Sequence, residues 1–133
     1  MKAQKANVTK PLPLGAFMVP CDNSGAKMVQ LIAIKGAKPV KNRVPSAGIG
    51  DLVQVTVKTG KPDVRKKVFF AIIVRQKKEY KRPDGMRVKF EDNSVILLKD
   101  DKGNPKGTIF KGPIAKEVVD RWPAAAKVAN MIL

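Results

Sequence analysis

The chain has 133 residues, a length typical of one domain that is large enough to bury a hydrophobic core. It carries 27 Lys and Arg against 11 Asp and Glu, which gives a formal net charge of +16, and it contains one Cys and no His. This composition excludes histidine-dependent catalysis, an internal disulfide and a Cys/His zinc site, and it indicates a polyanionic partner.

No segment of the sequence resembles a membrane anchor or a secretory signal. The longest uninterrupted apolar run, residues 68–74, is far shorter than the ~20 residues that cross a bilayer. Residues 1–7 lack the apolar core of a signal peptide. We therefore expect a cytoplasmic protein with no membrane partner.

The first half of the chain is predicted to form strands behind a basic N-terminal tail, residues 1–14. Strands are predicted at 17–21 and 27–35, and the Asp-Asn-Ser-Gly turn between them indicates a hairpin. Residues 50–58 alternate apolar and polar side chains, as a half-buried strand does. Residues 68–74 are apolar throughout, which favours a central strand that is covered on both faces.

The second half begins with a hairpin signal. Arg-Pro-Asp-Gly at residues 82–85 predicts a turn, because Pro sets φ at one position and Gly accepts a positive φ. Residues 77–82 and 86–90 then form the arms of a basic hairpin. Further short strands are predicted at 94–99 and 108–110, with an exposed loop between them.

Residues 113–133, which follow the barrel segment 15–112, are predicted to form two short helices. Pro113 suits a first helical turn, and Ile114, Val118 and Trp122 follow it on one helical stripe. Pro123 ends that helix and begins the next, which is predicted to continue to the end of the chain. The fold class is therefore mainly β, a small five-stranded β-barrel with a projecting basic hairpin and two C-terminal helices, in a single domain over residues 1–133.

The positive charge is concentrated in the first two thirds of the chain. Residues 1–90 hold 20 basic and 5 acidic side chains, whereas residues 91–133 hold 7 and 6. Basic residues cluster on the turn-rich segments 36–50, 58–67 and 75–82. One such run is as consistent with a solvated surface as with a binding site, but three runs of one sign favour nucleic acid.

The basic side chains of these segments, together with Lys27 and Arg87, are the candidate RNA ligands. They are Lys27, Lys38, Lys41, Arg43, Lys58, Lys61, Arg65, Lys66, Lys67, Arg75, Lys77, Lys78, Lys81, Arg82 and Arg87. The near-neutral last third is expected to pack on the core or on another protein. Its candidate protein contacts are Ile114, Val118, Trp122, Val128 and Ile132.

The aromatic residues bear on a different class of nucleic-acid binder, which stacks bases on exposed rings. All five Phe residues lie in apolar surroundings and are predicted to be in the core, as is the Trp122 ring. Tyr80 lies in a basic run, and two interpretations stay open: it stacks on RNA, or its ring packs against lysine stems. A free single-strand-binding barrel therefore remains the second functional hypothesis.

Catalysis and anion-binding loops have weaker support. The adjacent carboxylates at residues 91–92 and 100–101 are assigned to turns, because neighbouring side chains point apart. The Asn-Ser-Gly turn at residues 23–25 is assigned to a hairpin rather than to an anion-binding nest. Gly48 and Gly50 lack the rest of a phosphate-binding loop and are assigned to a barrel corner. We predict no catalytic residue, no metal and no cofactor.

Six short motifs in a fixed order carry a family resemblance. They are DNSGAK at 22–27, AGIGD at 47–51, VR at 74–75, RPDG at 82–85, FEDN at 90–93 and GPI at 112–114. Together they resemble the universal large-subunit ribosomal protein fourteen family over nearly the whole chain. Residues 60–67 and 120–123 resemble its archaeal and eukaryotic branch, with an archaeal leaning.

The resemblance implies a five-stranded barrel with a projecting β-ribbon and two small C-terminal helices. It implies a ribosomal protein that is not an enzyme and that binds large-subunit rRNA and neighbouring ribosomal proteins. It further implies contacts with small-subunit rRNA at the subunit interface, and a C-terminal part near the site where subunit anti-association factors dock. Cys21 stands where the family often has Ala, and a small buried thiol suits that position.

Overall fold

The computed structural model describes residues 8–36, 41–129 and 131–133. In chain order its elements are β1 (Leu12–Pro13), β2 (Phe17–Pro20), β3 (Ala26–Ile34), β4 (Ser46–Ala47), β5 (Leu52–Gly60), β6 (Val68–Arg75), β7 (Tyr80–Lys81), β8 (Arg87–Val88), β9 (Ser94–Leu97), β10 (Pro113–Ile114), α1 (Lys116–Arg121), α2 (Pro123–Ala126) and β11 (Met131–Ile132).

Five strands close into a barrel in the order β2-β3-β5-β6-β9. Neighbouring strands run antiparallel except at the closure, where β2 and β9 are parallel and Val19 pairs with Ser94. Closure satisfies the backbone hydrogen-bonding groups that a sheet edge would leave open. The predicted fold class is confirmed, including the five-stranded barrel and the β2–β3 hairpin.

The barrel interior follows from the alternation of side chains along the strands. Val53, Val55 and Val57 of β5 are fully buried, whereas Gln54 and Thr56 are half-buried on the other face. Burial of each such side chain contributes about 1.5–3 kcal/mol relative to its exposed state. The buried apolar residues of the described segments form one core cluster, which supports a single domain.

Strand β6 is covered on both faces only in its second half. Val68 is 56% exposed, whereas residues 71–75 are buried on both sides of the strand. The outer cover comes from the chain after β10, where the Ala115 N–H donates to the Val74 carbonyl oxygen at 3.1 Å. The prediction of a strand is confirmed, but complete coverage is wrong because this cover stops halfway along β6.

Part of the predicted N-terminal tail is paired. Strand β1 runs antiparallel to β4, with Leu12 opposite Ala47, and Leu12 is 5% exposed. Residues 1–7 of that predicted tail lie outside the described residues.

The C-terminal segment differs from the two predicted helices. Helix α1 begins at Lys116, and Ile114 lies before it in β10. Helix α2 begins with Pro123 as predicted but spans four residues, and β11 then pairs in parallel with β10. The apolar spacing from residue 114 to 122 fits a helix, and for this reason the sequence predicted Ile114 to be helical. That spacing carries no information about the pairing of the Ile114 backbone with β11.

The Phe residues divide between core and surface. Phe90 and Phe110 are buried, and Phe69 and Phe70 are half-buried. Phe17 is 55% exposed, so its assignment to the core is wrong. It alternates with buried Met18 on β2 and therefore points out of the barrel.

Candidate nucleic-acid interface

The connection between β5 and β6, residues 58–67, is folded tightly on itself. The Val57 N–H donates to the Lys67 carbonyl oxygen at 3.0 Å, and the Lys66 N–H donates to the Val57 carbonyl oxygen at 2.9 Å. Val64 is buried, and Lys66 adopts a φ of 65°. A loop held in this way fixes the backbone positions from which its cationic side chains extend. All five cations of this loop are exposed: Lys58, Lys61, Arg65, Lys66 and Lys67.

The turn between β2 and β3 packs against this loop. The Lys61 N–H donates to the Gly25 carbonyl oxygen at 3.0 Å. A Cβ added at Gly60 would lie 2.7 Å from the same oxygen, so only Gly allows the backbones this close. Because Ala26 pairs with Gly60, the exposed Lys27 lies beside the loop cations.

A third segment joins the same end of the barrel. The Asn23 side-chain oxygen accepts a hydrogen bond from the Thr108 N–H at 2.8 Å, and the Asp22 carboxylate accepts one from the Leu97 N–H at 3.0 Å. These side chains bond protein groups, as in a structural turn. Lys106 from this segment places its Nζ 5.0 Å from the centroid of the Phe69 ring, near the start of β6.

We call these residues the loop-end surface: Lys27, Lys58, Lys61, Arg65, Lys66, Lys67 and Lys106. Lys106 lies outside the three basic runs of the sequence. Residues 100–107 mix charges of both signs, and long-range contacts bring this lysine against β6: Leu98 bridges Pro105, and the Lys106 N–H donates to the Leu97 carbonyl oxygen at 2.9 Å.

The predicted basic hairpin is present and short, and we call residues 77–90 the ribbon. Strand β7 pairs with β8 through two residue pairs. Gly85 closes the turn at a φ of 91°, and its N–H donates to the Arg82 carbonyl oxygen at 2.9 Å. Four ribbon cations from the predicted set are exposed: Lys77, Lys78, Lys81 and Arg87. Arg87 pairs with Glu79 at 3.2 Å on the surface, a weak contact that RNA can replace.

The base of the ribbon is held by protein contacts. Tyr80 is 1% exposed, and its hydroxyl donates to Glu117 at 2.9 Å. Burial, followed by the nearby Glu117 charge, raises the pKa of Tyr80 to about 12. The buried Tyr80 ring therefore cannot stack on bases. It also does more than pack against lysine stems, because its hydroxyl bonds Glu117.

Two arginines in the predicted RNA-binding set are held inside the protein. Arg82 donates through Nε to Glu117 at 2.9 Å, and its side chain is 16% exposed. Arg75 is 9% exposed, and its guanidinium donates to the Lys111 carbonyl oxygen at 3.0 Å and to the Ser94 hydroxyl at 2.7 Å. Arg75 is thus corrected from an RNA ligand to a structural residue, because both of its Nη atoms already donate to protein acceptors.

The remaining candidates lie in the 36–50 segment. Lys41 and Arg43 are exposed, and Asn42 between them has a φ of 68°. Lys38 lies outside the described residues.

Three of the five predicted protein contacts belong to the protein's own core. Ile114, Val118 and Trp122 are at most 1% exposed, so they cannot meet a partner on the folded chain. The Trp122 Nε1–H donates to the Gly50 carbonyl oxygen at 2.9 Å, which fixes the ring over the barrel corner. Val128 is half-buried and Ile132 is 46% exposed, and these two remain available.

An apolar surface that no sequence pattern predicted lies on the outside of β2 and β3. Phe17 and Val19 of β2 and Met28 and Ile32 of β3 are each at least 40% exposed. Single exposed apolar residues are ordinary, whereas several on paired strands indicate a contact surface.

Two other kinds of site are absent from the described residues. Within these ranges, no group of three or more His, Cys, Asp and Glu side chains is placed to hold a metal ion. Over the same part of the chain, no helix is long and apolar enough to span a membrane.

Comparison with known proteins identifies similar chains. The model of the family described as ribosomal protein L14p/L23e matches residues 12–133. The large ribosomal subunit protein uL14 of Nanoarchaeum equitans is 57% identical over 133 residues, which is 100% of both chains. The uL14 proteins of Methanococcus vannielii and Methanocorpusculum labreanum are 48% and 47% identical over 99% and 100% of both chains.

Proposed function

The chain belongs to the ribosomal protein L14p/L23e family, and from that membership we propose that it binds large-subunit rRNA through the loop-end surface and the ribbon. As a family member it is a structural protein of the large ribosomal subunit in the cytoplasm and not an enzyme. The observation that carries the RNA proposal is the set of predicted cations that the fold leaves exposed. They are Lys27, Lys41, Arg43, Lys58, Lys61, Arg65, Lys66, Lys67, Lys77, Lys78, Lys81 and Arg87.

The two basic surfaces lie at opposite ends of β6. The loop-end surface adjoins Val68, and the ribbon follows Arg75. At about 3.3 Å per residue the strand separates them by roughly 23 Å. RNA contacts at both ends would neutralise phosphates and release counterions at two separate places. Lysines there act as mobile point charges, whereas Arg65 and Arg87 can donate two hydrogen bonds to one phosphate.

Contacts with neighbouring ribosomal proteins are assigned to apolar residues that the fold leaves exposed or half-buried. The outer face of β2 and β3, with Phe17 and Ile32, and the C-terminal Val128 and Ile132 are the candidate protein surfaces. By family resemblance, small-subunit rRNA is a further partner at the subunit interface. Subunit anti-association factors are proposed to dock near Ile132, where Met131 and Leu133 are also about half exposed.

The alternative of a free single-strand-binding barrel is not favoured. Such a barrel would need several exposed rings on which bases stack. Tyr80 and Phe90 of the ribbon are buried, and the one exposed ring among the described residues, Phe17, lies on the apolar outer face of β2 and β3.

The RNA proposal is tested by the salt dependence of binding. The full chain is titrated with transcribed large-subunit rRNA over a salt series, beside the Lys66→Glu, Lys67→Glu double variant. We expect the variant to bind more weakly. The slope of its log affinity against log salt concentration should be shallower by about 0.7–0.9 for each phosphate that is no longer neutralised.

The matched control reverses Lys102 and Lys127, which are exposed outside both basic surfaces. It changes the net charge by the same amount. Equal weakening by the two double variants would mean that overall charge, and not the loop-end surface, accounts for binding.

A further inference from the structure

The Glu117 carboxylate lies between the ribbon and the C-terminal segment. One of its oxygens accepts the Tyr80 hydroxyl at 2.9 Å, and the other accepts Arg82 Nε at 2.9 Å. Arg82 Nη2 also donates to the Tyr80 hydroxyl oxygen at 3.3 Å. The Arg82 and Glu117 side chains are only 16% and 11% exposed, so solvent screens this ion pair less than a surface pair.

A second contact continues this connection to the last strand. Arg82 Nη2 donates to the Leu133 backbone oxygen, which also accepts the Lys116 N–H at 3.1 Å. The Leu133 N–H in turn donates to the Ile114 carbonyl oxygen at 2.9 Å. The ribbon base, the start of α1 and the end of the chain are therefore joined at one place.

The ribbon needs such support because its own pairing is small. Two residue pairs hold β7 to β8, and a two-stranded hairpin is marginally stable in water by itself. Tyr80 and Arg82 lie on β7 and at the following turn, so their contacts with Glu117 fix the ribbon where it leaves the barrel. The Tyr80 hydroxyl is protonated at neutral pH and can therefore donate to Glu117.

We propose that Glu117 is a positioning residue for RNA binding, which holds the ribbon so that Lys77, Lys78, Lys81 and Arg87 meet RNA phosphates as one preorganised set. This inference rests on the proposed RNA-binding function of the ribbon. Glu117 itself does not contact the RNA. Its effect is on the conformational entropy that the ribbon and its cations would otherwise lose on binding.

Glu117→Gln tests the proposal because the change in charge and the loss of positioning predict opposite changes in RNA affinity. Removing a carboxylate, and releasing Arg82 from it, makes the protein more attractive to a polyanion. If Glu117 positions the ribbon, affinity for transcribed large-subunit rRNA instead falls, by about threefold to tenfold for one or two side chains that lose their order. Glu79→Gln is the matched control, because it removes an exposed carboxylate of the same ribbon. We expect it to leave affinity unchanged or raise it.

Two further variants separate positioning from general stability. In a Lys78→Glu, Lys81→Glu background two of the four ribbon cations are reversed, so Glu117→Gln should cause a smaller decrease in affinity than it does in the natural chain. Tyr80→Phe keeps the ring and removes one donor to Glu117, and we expect a smaller decrease in the same direction. Thermal melting shows whether each variant folds, and Tyr80→Phe decides the question if Glu117→Gln does not fold.

The outcomes distinguish this inference from the function on which it rests. A natural chain that does not bind the rRNA contradicts the proposed function itself. A natural chain that binds, with Glu117→Gln or Tyr80→Phe folded and binding equally or more tightly, overturns the positioning role alone.

Discussion

The Arg75 guanidinium is surrounded by acceptors from two segments of the chain, residues 92–94 and 111–113. Besides the Lys111 carbonyl oxygen and the Ser94 hydroxyl, it contacts the Pro113 carbonyl oxygen at 3.3 Å and forms an ion pair with Asp92 at 3.0 Å. A Cβ at Gly112, whose φ is 77°, would lie 2.3 Å from Arg75 Nη1. The residue thus joins β6 to the segment before β10, and its charge is used inside the protein.

Arg75→Lys should therefore lower stability rather than RNA affinity. Lysine keeps the charge but cannot reach these separated acceptors from one nitrogen, so we expect a loss of about 1–3 kcal/mol in the free energy of unfolding. Urea unfolding measures this loss, and rRNA titration of the folded variant should give the affinity of the natural chain. Weaker RNA binding at unchanged stability would restore Arg75 to the RNA-binding set.

The buried thiol of Cys21 predicts a loss of stability in alkali. Burial raises its pKa to about 12, so the folded chain holds a proton that the unfolded chain releases near pH 9.0. Because the unfolded state then binds fewer protons, the free energy of unfolding falls as the pH rises from about 9 to about 12. Tyr80, with a pKa also raised to about 12, acts in the same direction above its ordinary value of 10.0.

Cys21→Ala should flatten this dependence. Urea midpoints measured at about pH 8 and about pH 10.5 give the alkaline decrease for each chain, whatever the change in absolute stability. We expect a smaller decrease in the variant. An equal decrease in both chains would show that Cys21 does not titrate differently on folding.

At the scale of elements, the C-terminal segment supports the core and presents a surface at the same time. Ile114 is fully buried, whereas Ile132, its partner in the β10–β11 pairing, is 46% exposed. Removal of residues 114–133 would take Val118 and Trp122 out of the core as well. Such a truncation cannot separate protein contacts from folding, so single substitutions are needed.

Ile114→Ala and Ile132→Ala form a matched pair for this purpose. We expect a loss of about 2–5 kcal/mol for Ile114→Ala, because it leaves a cavity in the core. Ile132→Ala should change stability by less than about 0.5 kcal/mol, as an exposed position does. Urea unfolding of the isolated protein measures both. Similar losses would mean that Ile132 also packs in the folded chain.

The elements that the sequence predicts are those whose signal is local. Alternating valines identify β5, and Arg-Pro-Asp-Gly identifies the ribbon turn. The signal fails where long-range pairing decides: β11 exists because Met131 meets Pro113, and β1 exists because Leu12 meets Ala47. Neither two-residue strand has a pattern long enough to detect.

The candidate site shows the same contrast between local sequence signals and long-range contacts. Charge runs identify the exposed loop cations, because a chain this basic cannot bury them all. Whether a given cation of these runs is buried depends on acceptors that are distant in sequence. Arg82, for example, is held by Glu117, 35 residues away. Lys106 is the converse case, since only the fold places it beside the basic loop.

At the scale of the whole molecule, one barrel holds two basic surfaces apart and an apolar surface on a third side. The loops carry the charge, and their attachment to a closed barrel through Gly25, Val64 and Glu117 fixes where that charge lies. The central claim is that the exposed cations of the loop-end surface and the ribbon hold the chain on large-subunit RNA.

The measurement that tests this claim most directly is sedimentation of cell extract at low magnesium, where the subunits separate, followed by a graded salt wash. The natural chain should stay with the large-subunit peak, and the Lys66→Glu, Lys67→Glu variant should leave it at lower salt than the Lys102, Lys127 control. The claim is contradicted if the natural chain spreads through the light fractions, or if the loop-end variant is retained as firmly as the control.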